Sequence, residues 1–316
     1  MTMAAPSLIG IDIGGTKCAV SEPDGAHQVR EVARFATTTP EETLERIFAE
    51  VEALSPSNET TYGISCGGPL DARRGVILSP PNLPGWDNIA ICDQLTARFG
   101  GRAFVMNDAN ACALAEWQSG AARNARHVIF LTMGTGMGAG LILNGRIYEG
   151  ATGDAGEVGH LRLAASGPIG FGKAGSFEGF CSGGGIAQLA RRRVAEFPGD
   201  SILQQSPTIA LTAADVGRAA AAGDALALAI WQEVGTRLGE ALALLIDLLN
   251  PDCIVIGSIY ARCEAWIAPA MRGVIERECL PASAAACRIV PAQLGEQIGS
   301  HAAVAIARYH LFPTTP

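Results

Sequence analysis

Positive charge is scarce in this sequence. Its 23 Lys and Arg stand against 31 Asp and Glu, for a formal charge of −8 at neutral pH. No basic stripe is left to meet nucleic-acid phosphates or an anionic lipid surface, so neither is expected as a partner. Paired cysteines are missing too. The nine cysteines, at 18, 66, 92, 112, 181, 253, 263, 279 and 287, form no C-x-x-C and many lie in apolar runs, which argues against a zinc knuckle or disulfide frame and for reduced, buried thiols. The opening MTMAAPS lacks a basic segment followed by a long apolar one, and no uninterrupted apolar run reaches membrane-spanning length. A cytoplasmic protein is expected.

What is present is a chain of 316 residues with 48% hydrophobic content, enough for about two domains with a core each. LIGIDIGGTKCAVSEPDG reads as a strand, a Gly-Gly turn, a second strand and a turn at Asp24-Gly25. TPEETLERIFAEVEAL carries a capping box from Thr39 to Glu42 and apolar residues at helical spacing. TTYGISCGGPL is a strand ending in glycines, and LSPPNLPGWDN, with Pro80, Pro81 and Pro84, is a shaped loop of the kind that touches ligands. A helix is expected near residues 89 to 99, and RAFVMNDANACALAEW passes from strand to helix at Asn107 and Asp108. HVIFLTMGTGMGAGLILNGRIYEG then repeats the opening pattern roughly 120 residues later, which predicts two similar halves. A long apolar helix runs up to Pro251, the strand CIVIGS follows, and a last helix spans about Glu296 to His310.

Three glycine-rich stretches could hold phosphate. GPIGFGKAG reads G-x-x-x-x-G-K, but Ala174 stands where a P-loop needs Ser or Thr, and Gly175-Ser176 follow at once, so no helix starts there. GTGMGAG leads into a strand, whereas a Rossmann site needs a helix N-terminus, which argues against a nicotinamide oxidoreductase. Each of the two strand-turn-strand hairpins alone is also a plain tight turn. Together they pair apolar strands with glycines open to close approach and with Thr16 and Thr135.

GIDIGGTK (Gly10 to Lys17), SPPNLPGW, NDANACALAE, MGTGMGAG and GEVGH occur in the order and spacing of the ROK family of bacterial sugar kinases and sugar-sensing repressors, which the chain resembles over nearly its whole length. The resemblance implies an α/β chain with the two-lobed actin-like ATPase or hexokinase-like fold, built of duplicated ribonuclease H-like domains, with ATP and sugar in the cleft between lobes. The expected division is a small domain over 1–118, a large domain over 119–295, and a C-terminal helical segment 296–316 packing back on the small one. The family also commonly forms homodimers.

The same resemblance assigns roles. Asp108 is the base that accepts the proton of the attacking sugar hydroxyl; read alone, it is equally the N-cap of the helix that follows. Asp12 acts on magnesium or its water shell, with Gly14, Gly15, Thr16 and Lys17 as phosphate donors; alone, it is a turn residue. Met133, Gly134, Thr135, Gly136 and Gly138 hold the other side of the phosphates. Gly257 matches an adenosine-side glycine, with Ser258 where the family more often has a second glycine. Gly68, Asn82, Asn107, Glu157, His160 and Glu178 are the expected sugar contacts, since amides and carboxylates suit hydroxyl-rich ligands. Alone, Glu157 and Glu178 are solvated loop carboxylates.

One part of the pattern breaks. Where the family carries three zinc-binding cysteines after the Gly-His pair, this chain has Ile169, Phe171 and Ser176, so no structural zinc site is expected. Cys181 reads as a core thiol. Apolar packing by Ile169 and Phe171 is the expected replacement, with Lys173 bonding a neighbouring carbonyl or carboxylate. The function implied is ATP- and magnesium-dependent phosphorylation of a hexose, glucose at its 6-hydroxyl first, with fructose, allose, mannose, N-acetylmannosamine and N-acetylglucosamine as alternatives. The rival from another class is a non-catalytic sugar-sensing regulator. Family repressors carry an N-terminal helix-turn-helix domain, whereas here seven residues precede the first strand and the charge is acidic, which favours the kinase.

Overall fold

In the computed structural model of the chain, residues 7–205 and 207–312 are described. Two compact units emerge: Met1–Arg126 with Gly140–Ala155 and Gln293–Pro316, and His127–Ala139 with Gly156–Ala292. Residues 313–316 of the expected C-terminal segment lie outside the described residues.

In the first unit, β1 (Leu8–Ile13) turns through Gly14 and Gly15 into β2 (Lys17–Asp24), and β3 (Gln28–Ala36) follows. The helix α1 (Pro40–Ala53) starts at Thr39, whose hydroxyl accepts the Glu42 amide, and buries Leu44, Ile47, Phe48 and Val51. Next come β4 (Thr61–Cys66), the short strands β5 (Leu70–Asp71) and β6 (Val76–Ile77), α2 (Ile91–Phe99), β7 (Arg102–Asn107) and α3 (Asp108–Ser119). The sheet order is β3-β2-β1-β4-β7. β1 pairs antiparallel with β2, and β1, β4 and β7 run parallel.

The two-residue period of β1 sends Ile9, Ile11 and Ile13 into a core shared with Ile47, Phe48, Tyr62, Ile64 and Trp86. Each such side chain stabilises the fold by roughly 2 kcal/mol. Gly10 and Asp12 therefore share the opposite face, which the C-terminal helix Ile298–Leu311 covers. A Cβ on Gly10 would lie 2.6 Å from the Val304 nitrogen, and one on Gly63 would run into the Ala303 carbonyl. Only glycine lets helix and sheet meet backbone to backbone here.

The second sheet repeats the design. Its strands are β8 (Val128–Met133), β9 (Met137–Leu143) and β10 (Arg146–Ile147), then β13 (Cys253–Ile256) and β14 (Arg288–Pro291), in the order β10-β9-β8-β13-β14. Between them lie β11 (Ile169–Gly170), β12 (Lys173–Ala174) and the helices α4 (Phe177–Cys181), α5 (Gly183–Glu196), α6 (Ala213–Ala221) and α7 (Ala225–Leu249). α8 (Ile259–Glu278) and α9 (Pro281–Ala286) follow β13. Both sheets place their strands third, second, first, fourth, fifth in chain order, with the last three of that series parallel. This is the expected duplication.

α7 begins at Asp224, whose carboxylate caps the Ala227 amide, and ends where Asn250 turns left-handed before Pro251. All nine cysteines are free thiols, seven of them buried, and Cys181 is one of the buried ones. Among the described residues no helix is long and apolar enough to cross a membrane.

Candidate functional site

The C-terminal ends of parallel strands are where open α/β sheets gather ligand-facing residues. In the first unit Ile13 sits beside Cys66, and Cys66 beside Asn107, so the residues that follow these three strand ends are neighbours. Gly67 shows how close they come. A Cβ there would stand 3.6 Å from both amide atoms of Asn82 and 3.9 Å from Asp108 Oδ2, and one on Gly68 would stand 3.4 Å from Asn107 Nδ2. Asn82 is held out by its loop: Leu83 and Trp86 are buried on one side of it while Asn82 itself stays exposed. The loop backs onto the Gly14-Gly15 turn, where a Cβ on Gly15 would lie 2.5 Å from the Asn82 carbonyl. Thr16 and Lys17 are exposed at that turn.

Asp12 and Asp108 carry the charge here. Burial pushes the Asp12 carboxyl up to about 6; a hydrogen bond from Ser65 opposes this, the Asp108 charge adds to it, and Arg34 and Lys17 pull it back. Its Oδ2 lies against Gly299 in the first turn of the C-terminal helix, where a Cβ would collide with the carboxylate. Asp108 is solvent-accessible yet closely surrounded by protein. Loss of hydration raises its carboxyl, against hydrogen bonds from the amides of Ala109 and of Asp108 itself. Asp108 is not the N-cap of α3, contrary to the simplest reading of its position. Asn107 caps, its Oδ1 accepting the Ala109 amide at 3.0 Å, which makes Asp108 the first helical residue, its carboxylate beside the amides of that first turn.

In the second unit the turn after β8 closes with the Gly134 amide on the Gly136 carbonyl, and the Gly138 amide donates to Thr132 Oγ1 at 3.0 Å. Met133 is fully buried, so only its backbone faces the turn, while Thr135 is exposed. Gly257 extends the strand edge, its amide donating to the Leu131 carbonyl at 2.9 Å. Ser258 stands beside the turn, its Oγ 3.6 Å from where a Gly134 Cβ would be. It has φ 54° and ψ −110°, a conformation glycine adopts freely and serine only with strain. Nearby, a cavity of about 350 Å³ between α6 and α8 is lined by Gly217, Arg218, Ile259, Arg262, Cys263 and Trp266.

The GPIGFGKAG stretch is a miniature hairpin of β11 and β12, with Phe171 at φ 45° and Gly172 at φ 73° forming its turn. Apolar packing does not hold it: Ile169 is 53% and Phe171 77% exposed. Polar contacts do that instead. Lys173 Nζ donates to the His160 carbonyl at 2.8 Å, Arg162 donates to the Ala174 carbonyl, and the Gln188 amide pairs with both backbone groups of Ile169. The Phe171 ring lies edge-on to His160 at 4.9 Å between centroids. Zinc does not fit. Ser176 is buried and caps α4 through the Gly179 amide, the other two positions are hydrocarbon, and among the described residues no group of three His, Cys, Asp or Glu could hold a metal.

Glu157 is exposed, with its Oε2 4.0 Å from His160 Nε2. Glu178 is half-buried and is no free loop carboxylate, since its Oε2 accepts the Met137 amide at 3.0 Å. Three contributors escaped the sequence: Ser65, Gly299 and Thr132. Thr132 alone left a signal, because aligning the repeated hairpins puts it opposite Asp12.

A family model described as the ROK family matches residues 8–310. The glucokinase of Thermotoga maritima is 31% identical over 309 residues, covering 95% of this chain and 97% of that protein. Among solved structures, a ROK family glucokinase from Streptomyces griseus in complex with glucose and AMPPNP has 29% identity and a TM-score of 0.74, over 96% of this chain and 99% of that one. The ROK hexokinase of Thermus thermophilus has 30% identity and a TM-score of 0.77, again over 96% and 99%.

Proposed function

Because the chain belongs to the ROK family, we propose that it is an ATP-dependent sugar kinase acting on a hexose, with glucose as substrate and glucose 6-phosphate as product. The observation that carries the reading is Asp108: a carboxylate at the first helical position after the Asn107 cap, raised by burial, and neighboured by Asn82 and the Gly67-Gly68 turn. A base whose pKa rises toward the working pH accepts a proton more effectively. In the step proposed, Asp108 takes the proton of the sugar hydroxyl as its oxygen bonds the γ-phosphorus of ATP. The bond from that phosphorus to the β–γ bridging oxygen breaks, and ADP leaves.

Such a transfer needs alignment and charge neutralisation more than reactive side chains. Lys17, the amide of Gly15, and the amides of Thr135 and Gly136 within the second turn are the phosphate donors in this reading, while the Gly14, Gly134, Met137 and Gly138 amides brace the two turns from inside, and Gly257 and the cavity between α6 and α8 receive the adenosine. Asn82, Asn107, Glu157, His160 and Glu178 receive the sugar hydroxyls. A hard cation suits the donor set, a desolvated Asp12 carboxylate backed by the Ser65 hydroxyl, and magnesium there would offset the phosphate charge.

The test is a coupled ADP-release assay over glucose, fructose, mannose, allose, N-acetylmannosamine and N-acetylglucosamine, with Asp108→Asn in parallel. Glucose should give the highest kcat/KM, and the variant should lose roughly 10²- to 10⁴-fold. Release unstimulated by any sugar, or a variant at full rate, removes the kinase reading; a best rate with an N-acetylated sugar moves the substrate.

A further inference from the structure

Glu178 belongs to the sugar contacts of the kinase reading, and the Gly134–Gly138 turn to its phosphate contacts. Within the second unit the two touch. Glu178 Oε2 takes the Met137 amide at 3.0 Å and lies 3.0 Å from where a Cβ on Gly136 would stand. Glycines fence the rest of the side chain: a Cβ on Gly159 would be 3.2 Å from the Glu178 Cβ, and one on Gly170 would be 2.8 Å from it. The carboxylate is thereby steered along one path. Among the described residues its other oxygen, Oε1, accepts nothing from protein. The turn has a second tie to the same stretch of chain, since the Gly183 amide at the start of α5 donates to the Gly134 carbonyl at 2.8 Å.

We propose that Glu178 couples the two ligands, one oxygen receiving a sugar hydroxyl while the other holds the amide that shapes the phosphate turn. A hydroxyl donated to Oε1 fixes the carboxylate, and a fixed carboxylate fixes Met137 and the turn. The inference rests on the kinase reading. It makes Glu178 more than a sugar contact: nucleotide should bind tighter when sugar is present, and by linkage sugar should bind tighter by the same factor when nucleotide is present.

The experiment is calorimetric titration of AMPPNP with magnesium into the full chain, with and without saturating amounts of the sugar that performs best in the ADP-release panel. The wild type should show about fivefold or greater tightening by sugar. Glu178→Ala should bind AMPPNP several-fold more weakly without sugar and lose the coupling. Glu178→Gln keeps an oxygen for the Met137 amide, so its sugar-free nucleotide affinity should stay within about twofold of wild type while the coupling factor falls toward one. It also serves if the alanine variant does not fold. A wild-type factor of one, an alanine variant with wild-type affinity and coupling, or a glutamine variant with full coupling overturns the proposal. Failure of the kinase reading looks different, because wild type then binds neither AMPPNP nor sugar, and both ideas fall together.

Discussion

In the first unit the turn after β1 closes through the Gly14 amide on the Lys17 carbonyl, and the residue before the last of the strand is Asp12, a carboxyl pushed up to about 6 by burial. In the second unit the turn after β8 closes through Gly134 on Gly136, and the matching strand position holds Thr132, whose hydroxyl is occupied by the Gly138 amide. Scaffold and strand order are the same; the electrostatics are opposite. One copy keeps a charge away from water, at a cost in stability that a ligand cation would offset. The other keeps a neutral hydroxyl that ties its own turn through the Gly138 amide, and in the proposed function the Thr135 and Gly136 amides are what it offers an anion. Duplication supplied two equivalent strand ends, and a single position in each divides the labour.

Asp12→Asn gives the largest contrast. Activity should fall by roughly 10²-fold or more if Asp12 faces magnesium as proposed, while the protein becomes more stable. The folded carboxyl of Asp12 titrates above its ordinary value of 3.8, so between about pH 4 and 6 the folded state holds more protons than the unfolded one. Wild-type stability therefore declines as pH rises through that window. The variant should exceed wild type by about 3 kcal/mol above pH 6 in urea melts, with the advantage gone below pH 4. Below pH 6 the magnesium–nucleotide affinity of the wild type should drop more steeply than that of the variant, whose loss reflects the nucleotide phosphate alone. If the variant is less stable than wild type at pH 8, Asp12 is no strained charge.

Thr132→Val tests the other half. Removing the hydroxyl orphans the Gly138 amide, so nucleotide KM should rise about tenfold with stability lowered by about 1 kcal/mol, and neither effect should depend on pH between 5 and 8. A pH dependence like that of Asp12 would dissolve the contrast. The smallest effect belongs to Ser258→Gly. Relief of the positive φ should raise stability by about 1 kcal/mol with kcat little changed; a destabilised variant would show that the serine side chain, at 3.6 Å from the Gly134 position, supports the turn.

Local chemistry was legible in the sequence wherever one element suffices to decide it. Glycine turns flanked by apolar strands, the Thr39 cap and the change of period at Asn107 all name their structure directly. The choice of Asn107 over Asp108 as cap was not legible, since either side chain can accept that amide and the backbone chooses. Nor was the fate of Ile169 and Phe171. Hydrophobic residues in a metal-free loop suggest packing, but this hairpin is too small to own a core, and Lys173 found a carbonyl thirteen residues away. Ser65 and Gly299 stayed hidden for a related reason: each matters only through its distance to Asp12, which no spacing in the chain encodes.

The flush contact at Gly10 and Gly63 also has a consequence in time. The helix that fits there, residues 298–311, is made long after the strands it covers. During synthesis the first sheet waits with a bare face and with Asp12 lacking the Gly299 turn beside it. The second sheet meets the same helix only at its edge strand β10, where the Ile147 amide donates to the Tyr309 hydroxyl. A chain cut short before residue 298 would carry every expected site residue and still be unfinished as a catalyst, the strands of its first sheet an exposed sticky surface for chaperones to shield.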